Sequence, residues 1–581
     1  MKAIHKLLIA GFALCAVASC NEQEWLTEVP YSIYSTENAL VSESDYQAMV
    51  NHLYYQIKRS CVYIDTQDCT GPLRSGEFSY YSRDFKGTST KDWGLWDSFV
   101  TPENTDLYDI WEFTWDLICN ANVVISRVPD SDLSESVKNT FLGEALFARS
   151  WGYTYLCHLY GGLPILDGEV TSPARDYSRE TRKDTYKFAY DGFAEATKYL
   201  PNVDKAKPGQ ANVQICQHFM AECAICMGDY DQAITDATKV INYSGCSLVT
   251  ERFGALKDKP GDLYWDMFRM NNTNYQAGNH EGLYVYQVDY KCVASPYSGN
   301  TKFDTDYLVR DCNCSYFEMK YTYGPYVGAT VFHNKPVTDY GGRSYGYQHP
   351  TDHFLIDVWE GMDGDIRNSE YNIKRDIQLN NKSHADMYGK WLVADGILAE
   401  QVANGYDTRT KDWWPIMTKT ANTTYDWPDA EKADLNWFGI GGYLAQTSTG
   451  RDESHKDWYM ARLAETYLLR AEAYVGKGDS GSAAADINVL RKRASAPLVS
   501  GTVDIDYVLD ERMRELYLEE NRTVTLMRMG KFVERVKKYN PIEAEWGKVQ
   551  SPKHDLFPIP SSEFSSNVFG ENFEQNPGYA D

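Results

Sequence analysis

Two pairs of closely spaced cysteines are the first residues in this chain whose spacing suggests metal chemistry. Cys223 and Cys226 stand one helical turn apart in a segment with a helical pattern, and Cys312 and Cys314 are separated by one residue. A structural zinc site needs four ligands, and no second pair follows either of these at zinc-finger spacing. The cysteine spacing therefore predicts no metal site, and we expect no cofactor.

Histidine and aspartate motifs lead to the same expectation. His349 and His353 lie four apart but have Pro350 between them, which makes a helical zinc pair an unfavourable interpretation. The stretch Asp363-Gly-Asp365 begins like a calcium loop, but its glycine falls at the wrong place and no glutamate closes a twelve-residue loop.

Catalytic motifs are also missing from the pattern. A glycoside hydrolase, the main enzymatic alternative, places two carboxylates across a cleft, and 82 acidic residues could supply such a pair anywhere. However, the strand patterns of a barrel or a jelly roll are missing, as are a Gly-x-Ser-x-Gly elbow and a phosphate loop. We therefore expect that the protein is not an enzyme.

Aromatic residues in loop-like segments point instead to non-covalent binding. Trp93 and Trp96 are three apart and flanked by Asp and Gly, outside any helical period, which favours a surface platform over a core position. An aromatic face can cover an apolar ligand surface, while neighbouring polar side chains bond polar groups of the ligand. The alternative is that both indoles pack the loop against helices. The candidate ligand-binding residues of this first loop are Trp93, Trp96, Tyr80, Tyr81 and Asp84.

The middle of the chain supplies a second set of candidates. Residues 264–347 carry fourteen of the 44 tyrosines, in a stretch rich in Gly, Asn and Asp. Tyrosine has an apolar face and a polar tip, and both suit a hydrated binding surface. Packing within the loops, or a contact with a partner, is the alternative role. The candidates here are Tyr297, Arg310, Tyr316, Tyr323 and Tyr326.

Cys20 ends an N-terminal segment typical of export. Lys2 and Lys6 precede an apolar run over residues 7–18, and small residues lead into the cysteine. The segment resembles a bacterial lipobox, which implies cleavage before Cys20 and lipid attachment to it; an ordinary secretory signal with a chance cysteine is the alternative. The run is shorter than the roughly 20 residues that span a bilayer. We therefore expect a lipid anchor at Cys20 as the only membrane element.

Composition limits the partners. The net charge is −25, from 57 basic and 82 acidic residues, which argues against nucleic acid and against electrostatic attachment to anionic lipid. Thirteen cysteines in 581 residues are too few for a disulfide scaffold.

Helical periodicity dominates both ends of the chain. Apolar residues recur at three and four residues over 104–128, 136–160, 183–200 and 211–241, and again over 458–494 and 505–539. Residues 245–455 read mostly as loops, with one alternating strand at 283–290. The pattern predicts a predominantly α protein with a loop-rich middle and a few short strands.

An internal repeat refines this prediction. Ala221-Glu222 and Gly228-Asp229 recur at a shift of 250 residues as Ala471-Glu472 and Gly478-Asp479. Each copy is a helix, a Gly-Asp turn and a second helix, which is the unit of tetratricopeptide repeats. We therefore predict a tetratricopeptide-like framework of helical pairs, a scaffold that offers binding surfaces.

Several sequence blocks, in order along the chain, carry a family resemblance. They include Gly143-Glu144-Ala145-Leu-Phe-Ala-Arg149, Tyr160-Gly-Gly-Leu-Pro164, the stretch from Arg462 to Ala473, Glu511-Arg512-Met-Arg-Glu515, Pro558-Ile-Pro560 and Gln575-Asn-Pro-Gly-Tyr579. After a lipobox, this ordered set resembles the SusD/RagB family of Bacteroidetes outer-membrane lipoproteins. Glu144, Arg149, Arg462 and Glu465 lie in these blocks, and we interpret them as partly buried polar groups that must pair.

The resemblance implies a location and a function. It implies a lipoprotein on the outer face of the outer membrane, where Glu22 and Glu24 after the anchor resemble the surface-export signal. It implies a ligand face on the loops before the first long helix and on the middle loops, where aromatic rings cover sugar faces. It also implies capture of oligosaccharides and their delivery to a SusC-type TonB-dependent transporter, without catalysis. A peptide receptor on the same scaffold and a purely structural scaffold remain alternatives. The predicted divisions are 1–19 signal peptide, 20–41 lipidated cysteine and linker, 42–248 N-terminal helical region, 249–455 loop-rich middle and 456–581 C-terminal helical region and tail.

Overall fold

The computed structural model describes residues 40–61, 76–81, 96–288, 308–333, 344–420, 456–570 and 572–580. The α-helices are α1 (Glu43–Cys61), α2 (Trp96–Phe99), α3 (Thr105–Arg127), α4 (Glu135–Tyr160), α5 (Arg182–Ala196), α6 (Val213–Met227), α7 (Tyr230–Ile241), α8 (Leu263–Asp266), α9 (Leu308–Cys312), α10 (Asp352–Leu355), α11 (Ile397–Ala403), α12 (Leu463–Gly476), α13 (Ser480–Arg493), α14 (Ile505–Leu516), α15 (Arg522–Arg528), α16 (Phe532–Tyr539), α17 (Pro541–Glu545) and α18 (Ser561–Ser566). The strands are β1 (Ser79–Tyr81), β2 (Gly282–Tyr286), β3 (Gln348–Pro350), β4 (Ile373–Lys374), β5 (Ile416–Met417) and β6 (Trp458–Arg462).

The N-terminal helices form a stack in which each helix packs on the next, from α3 through α7. Local signals set their ends. The side chain of Asn104 accepts hydrogen bonds from the backbone N–H groups of residues 106 and 107 at the start of α3, and Gly161 at φ +81° ends α4. The predicted long helices at 104–128 and 136–160 are confirmed to within a residue at each end. The predominantly α fold class is therefore confirmed.

The two copies of the repeat fold alike. Gly228 and Gly478 take left-handed backbone angles of φ +78° and +77°, which a residue with a Cβ adopts at a cost. After them, Asp229 and Asp479 each cap the second helix through a side-chain oxygen, which accepts a backbone N–H three residues on. The predicted pairs α6–α7 and α12–α13 are confirmed.

The copies also contact each other. Helix α7 of the first copy packs on α12 of the second, where Ala224, Ala233 and Ala473 let the helices approach closely. Both repeat glutamates face one cation: Arg528 donates to the Glu472 carboxylate at 2.8 and 2.7 Å and lies 3.7 Å from Glu222. The stack therefore continues across more than 200 intervening residues.

Those intervening residues leave and rejoin the stack through one two-stranded ladder. Strand β2, which follows α7 in the chain, pairs antiparallel with β6, which directly precedes α12. In this ladder Gly282 lies opposite Arg462. The sequence predicted helix from residue 458, which is wrong for β6. The ladder with β2 buries nearly all side chains of β6 on both faces. The strand therefore lacks the alternation of apolar and polar residues that marks a half-buried strand in a sequence.

A buried network of ion pairs joins the returning helices to the middle of the chain. Arg462 lies 2.7 Å from Glu281, 2.6 Å from Glu515 and 2.7 Å from Glu519, and all four side chains are almost fully buried. We call this network the ionic core; its members are Arg367, Arg462, Arg491, Arg493, Arg514, Glu281, Asp365, Glu511, Glu515 and Glu519.

The pairing predicted for the four partly buried polar residues of the family blocks is confirmed. Arg462 belongs to the ionic core, and Glu465 lies 2.6 Å from Arg512. Arg149 lies 3.1 Å from the Asp167 carboxylate. Glu144 accepts a hydrogen bond from the Gln210 side chain at 2.6 Å. Each group is thus compensated, as burial requires.

The remaining sequence motifs are structural. Asp365 of the Asp363-Gly-Asp365 stretch pairs with Arg367 inside the ionic core at 2.6 Å, so this stretch contributes an ion pair. The cysteines at 223, 226, 312 and 314 are free thiols. Within the described ranges, no group of three or more His, Cys, Asp or Glu side chains is placed to hold a metal ion. Among the helices of those same ranges, none is both long and apolar enough to span a membrane.

Candidate ligand-binding surface

The middle of the chain forms a loop-built region, which we call the loop lobe and define as residues 308–333 and 344–420. Short antiparallel pairs hold it together: β1 with β3, and β4 with β5. Backbone hydrogen bonds between neighbouring loops, such as Tyr321 N–H to Ala329 at 2.9 Å, and side chains that bond to backbone groups supply further order. Such loops on a rigid scaffold are where binding residues concentrate.

An aromatic cluster lies on one side of the lobe. The ring of Tyr326 lies over His384 with centroids 4.1 Å apart and planes inclined by 33°. The ring centroid of Tyr321 lies 5.7 Å from that of Tyr326 and 5.4 Å from that of His384. The ring centroid of Tyr323 lies 6.5 Å from that of Tyr321. Tyr321 is buried, whereas Tyr323 and Tyr326 are half-buried. The cluster therefore presents two tyrosine rings to solvent on a packed aromatic base.

A carboxylate anchors the outermost ring. The Tyr326 hydroxyl donates a hydrogen bond to Asp386, and this bond lowers the pKa of the Asp386 carboxyl. The same bond raises the pKa of Tyr326. The carboxylate keeps other acceptor sites for ligand hydroxyl groups.

The buried side chain of Gln401, in α11, positions the segment that carries the cluster. Its Oε1 accepts the backbone N–H of Thr322 at 2.6 Å, and its Nε2 donates to the Lys320 carbonyl at 2.9 Å. The Thr322 hydroxyl donates to the Gln401 backbone carbonyl at 2.9 Å. One glutamine thus fixes three polar groups next to Tyr321 and Tyr323.

A polar cleft adjoins the cluster along the same segment. Side chains alternate along the extended stretch, so Lys320 and Thr322 line the cleft, while Tyr321 faces the aromatic cluster. The cleft has a volume of about 800 Å³, within the range of small-molecule sites. Its lining includes Phe317, Glu318, Lys320, Thr322, Tyr406, Asp407, Thr410 and Asp412.

Two further aromatic rings stand in solvent on the lobe. Tyr388 is 49% exposed and Trp391 is 43% exposed, within a stretch tied down by Asp376 and Asp395. Asp395 accepts the backbone N–H of Trp391 at 2.6 Å. The lobe therefore combines exposed aromatic faces with a polar cleft, which is the composition that binds a hydroxyl-rich ligand.

Trp96 lies in the core, so its predicted role as a surface platform is wrong. Its side chain is fully buried, its Nε1 donates to Glu543 at 3.1 Å, and its ring packs on Phe532 and Phe557. The loop-packing alternative holds for this residue, because the partners that bury it come from the C-terminal end of the chain.

Tyr80 and Tyr316 are buried as well, which corrects the prediction of exposed binding rings at both positions. Tyr80 stacks on His349 within the β1–β3 pair at 4.8 Å, and Tyr316 packs edge-on against Phe332 at 5.4 Å. Neither ring is open to a ligand.

The other predicted residues divide into three groups. Tyr323 and Tyr326 lie in the aromatic cluster. Tyr81 lies in β1 and Arg310 in α9. Cys20, Asp84, Trp93 and Tyr297 lie outside the described residues.

Sequence reasoning missed His384, Asp386, Tyr388, Trp391 and Gln401. The two exposed aromatics sit among Asn, Lys and Gly and could have been found by the reasoning applied to Trp93. Gln401 carries no such signal, because its role depends on a contact across 79 residues of sequence.

The fold and this surface together define a class: a helical-repeat protein that carries an aromatic, loop-built binding surface. Two family models match the chain, one described as the SusD family over residues 303–579 and one as "starch-binding associating with outer membrane" over residues 24–212. The chain belongs to the SusD family.

Curated relatives agree with this assignment. The starch-binding protein SusD of Bacteroides thetaiotaomicron is 37% identical over 143 residues, which is 23% of this chain and only 24% of that relative's length. The SusD-like protein P2 of Formosa agariphila is 22% identical over 97% of this chain and 98% of its own length.

Solved structures share the fold. A laminarin-binding SusD-like protein has a TM-score of 0.64 at 18% identity, covering 93% of this chain and 100% of its own. The surface glycan-binding protein A of Bacteroides thetaiotaomicron, in complex with laminarihexaose, has a TM-score of 0.62 at 17% identity, covering 92% and 99%.

Proposed function

We propose that this protein is a cell-surface glycan-binding lipoprotein that captures oligosaccharides at the loop lobe. The observation that carries the proposal is the combination of the exposed rings of Tyr388 and Trp391 and the half-buried rings of Tyr323 and Tyr326 with an adjoining polar cleft. Rings cover sugar faces, and the acids, threonines and lysine of the cleft bond hydroxyl groups. The names of relatives that bind starch or laminarin support the same ligand class.

The proposal extends to transport and location. Captured oligosaccharides pass to a SusC-type TonB-dependent transporter in the outer membrane, and a lipid on Cys20 holds the protein to the outer face. The family description that names association with the outer membrane supports this part. Co-purification of a SusC-like transporter with the lipidated chain from outer membranes tests it, and a Cys20→Ala chain recovered in the membrane would contradict the anchor.

Binding is tested with the chain that remains after the predicted cleavage, without lipid. Calorimetry against a panel of neutral polysaccharides, oligosaccharides and peptides identifies the ligand, and product analysis after long incubation tests for hydrolysis. We expect binding of at least one glycan without turnover. Hydrolysis of the bound glycan would overturn the binding-only function, and binding of peptides alone would select the peptide receptor.

Variants then locate the site. We expect Trp391→Ala and Tyr388→Ala to weaken glycan binding by about three- to tenfold each, the loss expected from one aromatic contact, while stability changes by less than about 0.5 kcal/mol. Phe569→Ala is the matched control, because Phe569 is 71% exposed but lies in the C-terminal tail. Equal losses in the control and the lobe variants would remove the loop lobe from the proposal.

A further inference from the structure

A second pocket lies between α3, the segment around residues 164–177 and the C-terminal tail, away from the residues of the loop lobe. It is a cavity of about 300 Å³. Its walls are largely aromatic, supplied by Tyr108, Trp111, Trp115, Tyr177 and Phe573. We call it the acidic aromatic pocket.

Packing holds the walls of this pocket in place. Trp111 and Trp115 stand one helical turn apart on α3, with centroids 5.7 Å apart and planes inclined by 59°, so the two indoles form a corner. Each is braced from behind by an edge-on tyrosine, Tyr160 at 5.0 Å and Tyr153 at 5.8 Å. The corner is therefore preformed.

The tail closes the opposite side. The backbone N–H of Tyr177 donates to the Asn567 Oδ1 at 2.7 Å, and the Asn567 Nδ2 donates back to the Tyr177 carbonyl at 2.7 Å. Phe569 adds a backbone bond to Arg175 at 2.8 Å. These bonds fix the Tyr177 and tail walls relative to each other.

The charge of the lining is wholly negative. Glu112, Asp116 and Glu563 line the pocket, and its described lining contains no lysine, arginine or histidine. Burial raises the pKa of Asp116 and of Glu563, and for Asp116 the neighbouring Glu112 acts in the same direction. His52 and Arg59, which lie outside the lining, lower the pKa of Asp116, but they only partly offset the effects of burial and of Glu112.

One polar group in the wall lacks a partner. The Nε1 donor of Trp115 is buried and finds no acceptor among the described residues, which is unfavourable for a buried donor. Trp111, one turn earlier, faces Glu563 and lowers the pKa of that carboxyl, against the larger effect of burial.

We propose that the acidic aromatic pocket binds a small organic cation bearing a quaternary ammonium group, taken free from solution. Aromatic faces attract such a cation through their quadrupole, and the methyl groups replace the hydrogen bonds that a primary ammonium would need. The three carboxylates supply the countercharge. A phosphocholine headgroup fits less well, because its phosphate would face the same carboxylates.

Calorimetry with choline tests the charge, using the chain after the predicted cleavage. The comparison is 3,3-dimethyl-1-butanol, which has the same shape with carbon in place of the charged nitrogen. We expect choline to bind and the neutral isostere to bind at least about tenfold more weakly. Equal binding of the two would overturn the cation assignment, and equal or tighter binding of phosphocholine would overturn the free-cation assignment.

Substitutions test the location. We expect Trp115→Leu and Glu563→Gln each to weaken choline binding by about tenfold, with glycan binding at the loop lobe unchanged. Tyr388→Ala is the matched control and is expected to leave choline binding unchanged. A choline affinity that none of these variants alters, or that Tyr388→Ala alone lowers, would overturn the assignment to this pocket.

Cys119 offers a readout that needs no variant. This exposed thiol lines the pocket, so bound choline should slow its alkylation by iodoacetamide, measured on the Cys119 peptide by mass spectrometry. Cys226 on α6 serves as the internal reference, since it lies outside the pocket lining. Alkylation of Cys119 at the same rate with and without saturating choline would contradict the proposal.

Discussion

The ionic core and the loop lobe are ordered by opposite means. In the ionic core, arginines and carboxylates with almost no solvent exposure pair directly, as Arg462 does with Glu281, Glu515 and Glu519 at 2.6–2.7 Å. Asp365 and Arg367 belong to this network although the loop lobe supplies them. In the loop lobe, neutral side chains bond backbone groups, and aromatic rings remain at the surface. The first arrangement fixes one packing geometry at a high cost of desolvation, whereas the second leaves polar groups and rings available to a ligand.

The contrast explains where the charged residues of the family blocks lie. Buried ion pairs tolerate little change, because removing one partner leaves the other charge buried without compensation. Loop residues tolerate change more readily, because water can replace a lost contact. The ion-paired residues and the solvent-facing residues of the loop lobe thus differ in how much substitution they tolerate.

Loss of one carboxylate from the ionic core should have the largest effect. Glu515 accepts from Arg462 at 2.6 Å and from Arg367 at 2.9 Å, and it also pairs with Arg493. We expect Glu515→Gln to lower the free energy of unfolding by about 3–5 kcal/mol, measured by chemical denaturation. Glu534→Gln, which breaks the exposed pair with Lys531, should cost about 0–1 kcal/mol. Similar costs for the two would remove the distinction between core and surface charge.

Acid should act on the ionic core next. Burial alone would raise the pKa of Glu511, but Arg514, Arg367 and Arg491 together lower it to about 2, from an ordinary value of 4.5. Since the unfolded chain binds the proton first, this contribution to stability is complete above pH 4.5 and is lost as the pH falls from 4.5 to about 2.

Melting temperature measured between pH 7 and pH 2 tests this expectation. The decline should begin near pH 4.5, and it should persist in 1 M salt, because buried pairs are screened much less than exposed ones. A decline that high salt abolishes would assign acid sensitivity to surface charge instead.

Gln401 allows a smaller test within the loop lobe. We expect Gln401→Ala to cost about 1–3 kcal/mol, because it leaves the Thr322 N–H and the Lys320 carbonyl without their partner. Gln401→Glu keeps the acceptor but buries a carboxylate against the Lys320 carbonyl, so its cost should be at least as large. Glycan binding should weaken in the same order, measured by calorimetry. Unchanged binding in a destabilised Gln401→Ala chain would show that the segment does not position the ligand.

The sequence predicts the helical stack well and the binding surface poorly. Helix periodicity and the Gly228-Asp229 and Gly478-Asp479 turns are local signals, so the repeat could be found from spacing alone.

Trp96 shows the limit of predicting loop residues from local sequence. Its Asp and Gly neighbours are typical of a loop, but Glu543, which bonds its indole, lies 447 residues away. The loop lobe is made of such long-range contacts, as between Gln401 and Thr322, and these leave no period in the sequence.

The place where the loop lobe enters the stack has a consequence for folding order. Helix α7 ends at Ile241, and its stacking partner α12 begins only at Leu463. The face of α7 that α12 covers therefore stays exposed until the whole intervening segment has been synthesised and β2 and β6 have paired. Contacts of such long sequence separation form slowly, because the loop must close before they are made. Completion of the stack is thus a late event, because all residues between α7 and α12 must be synthesised before it.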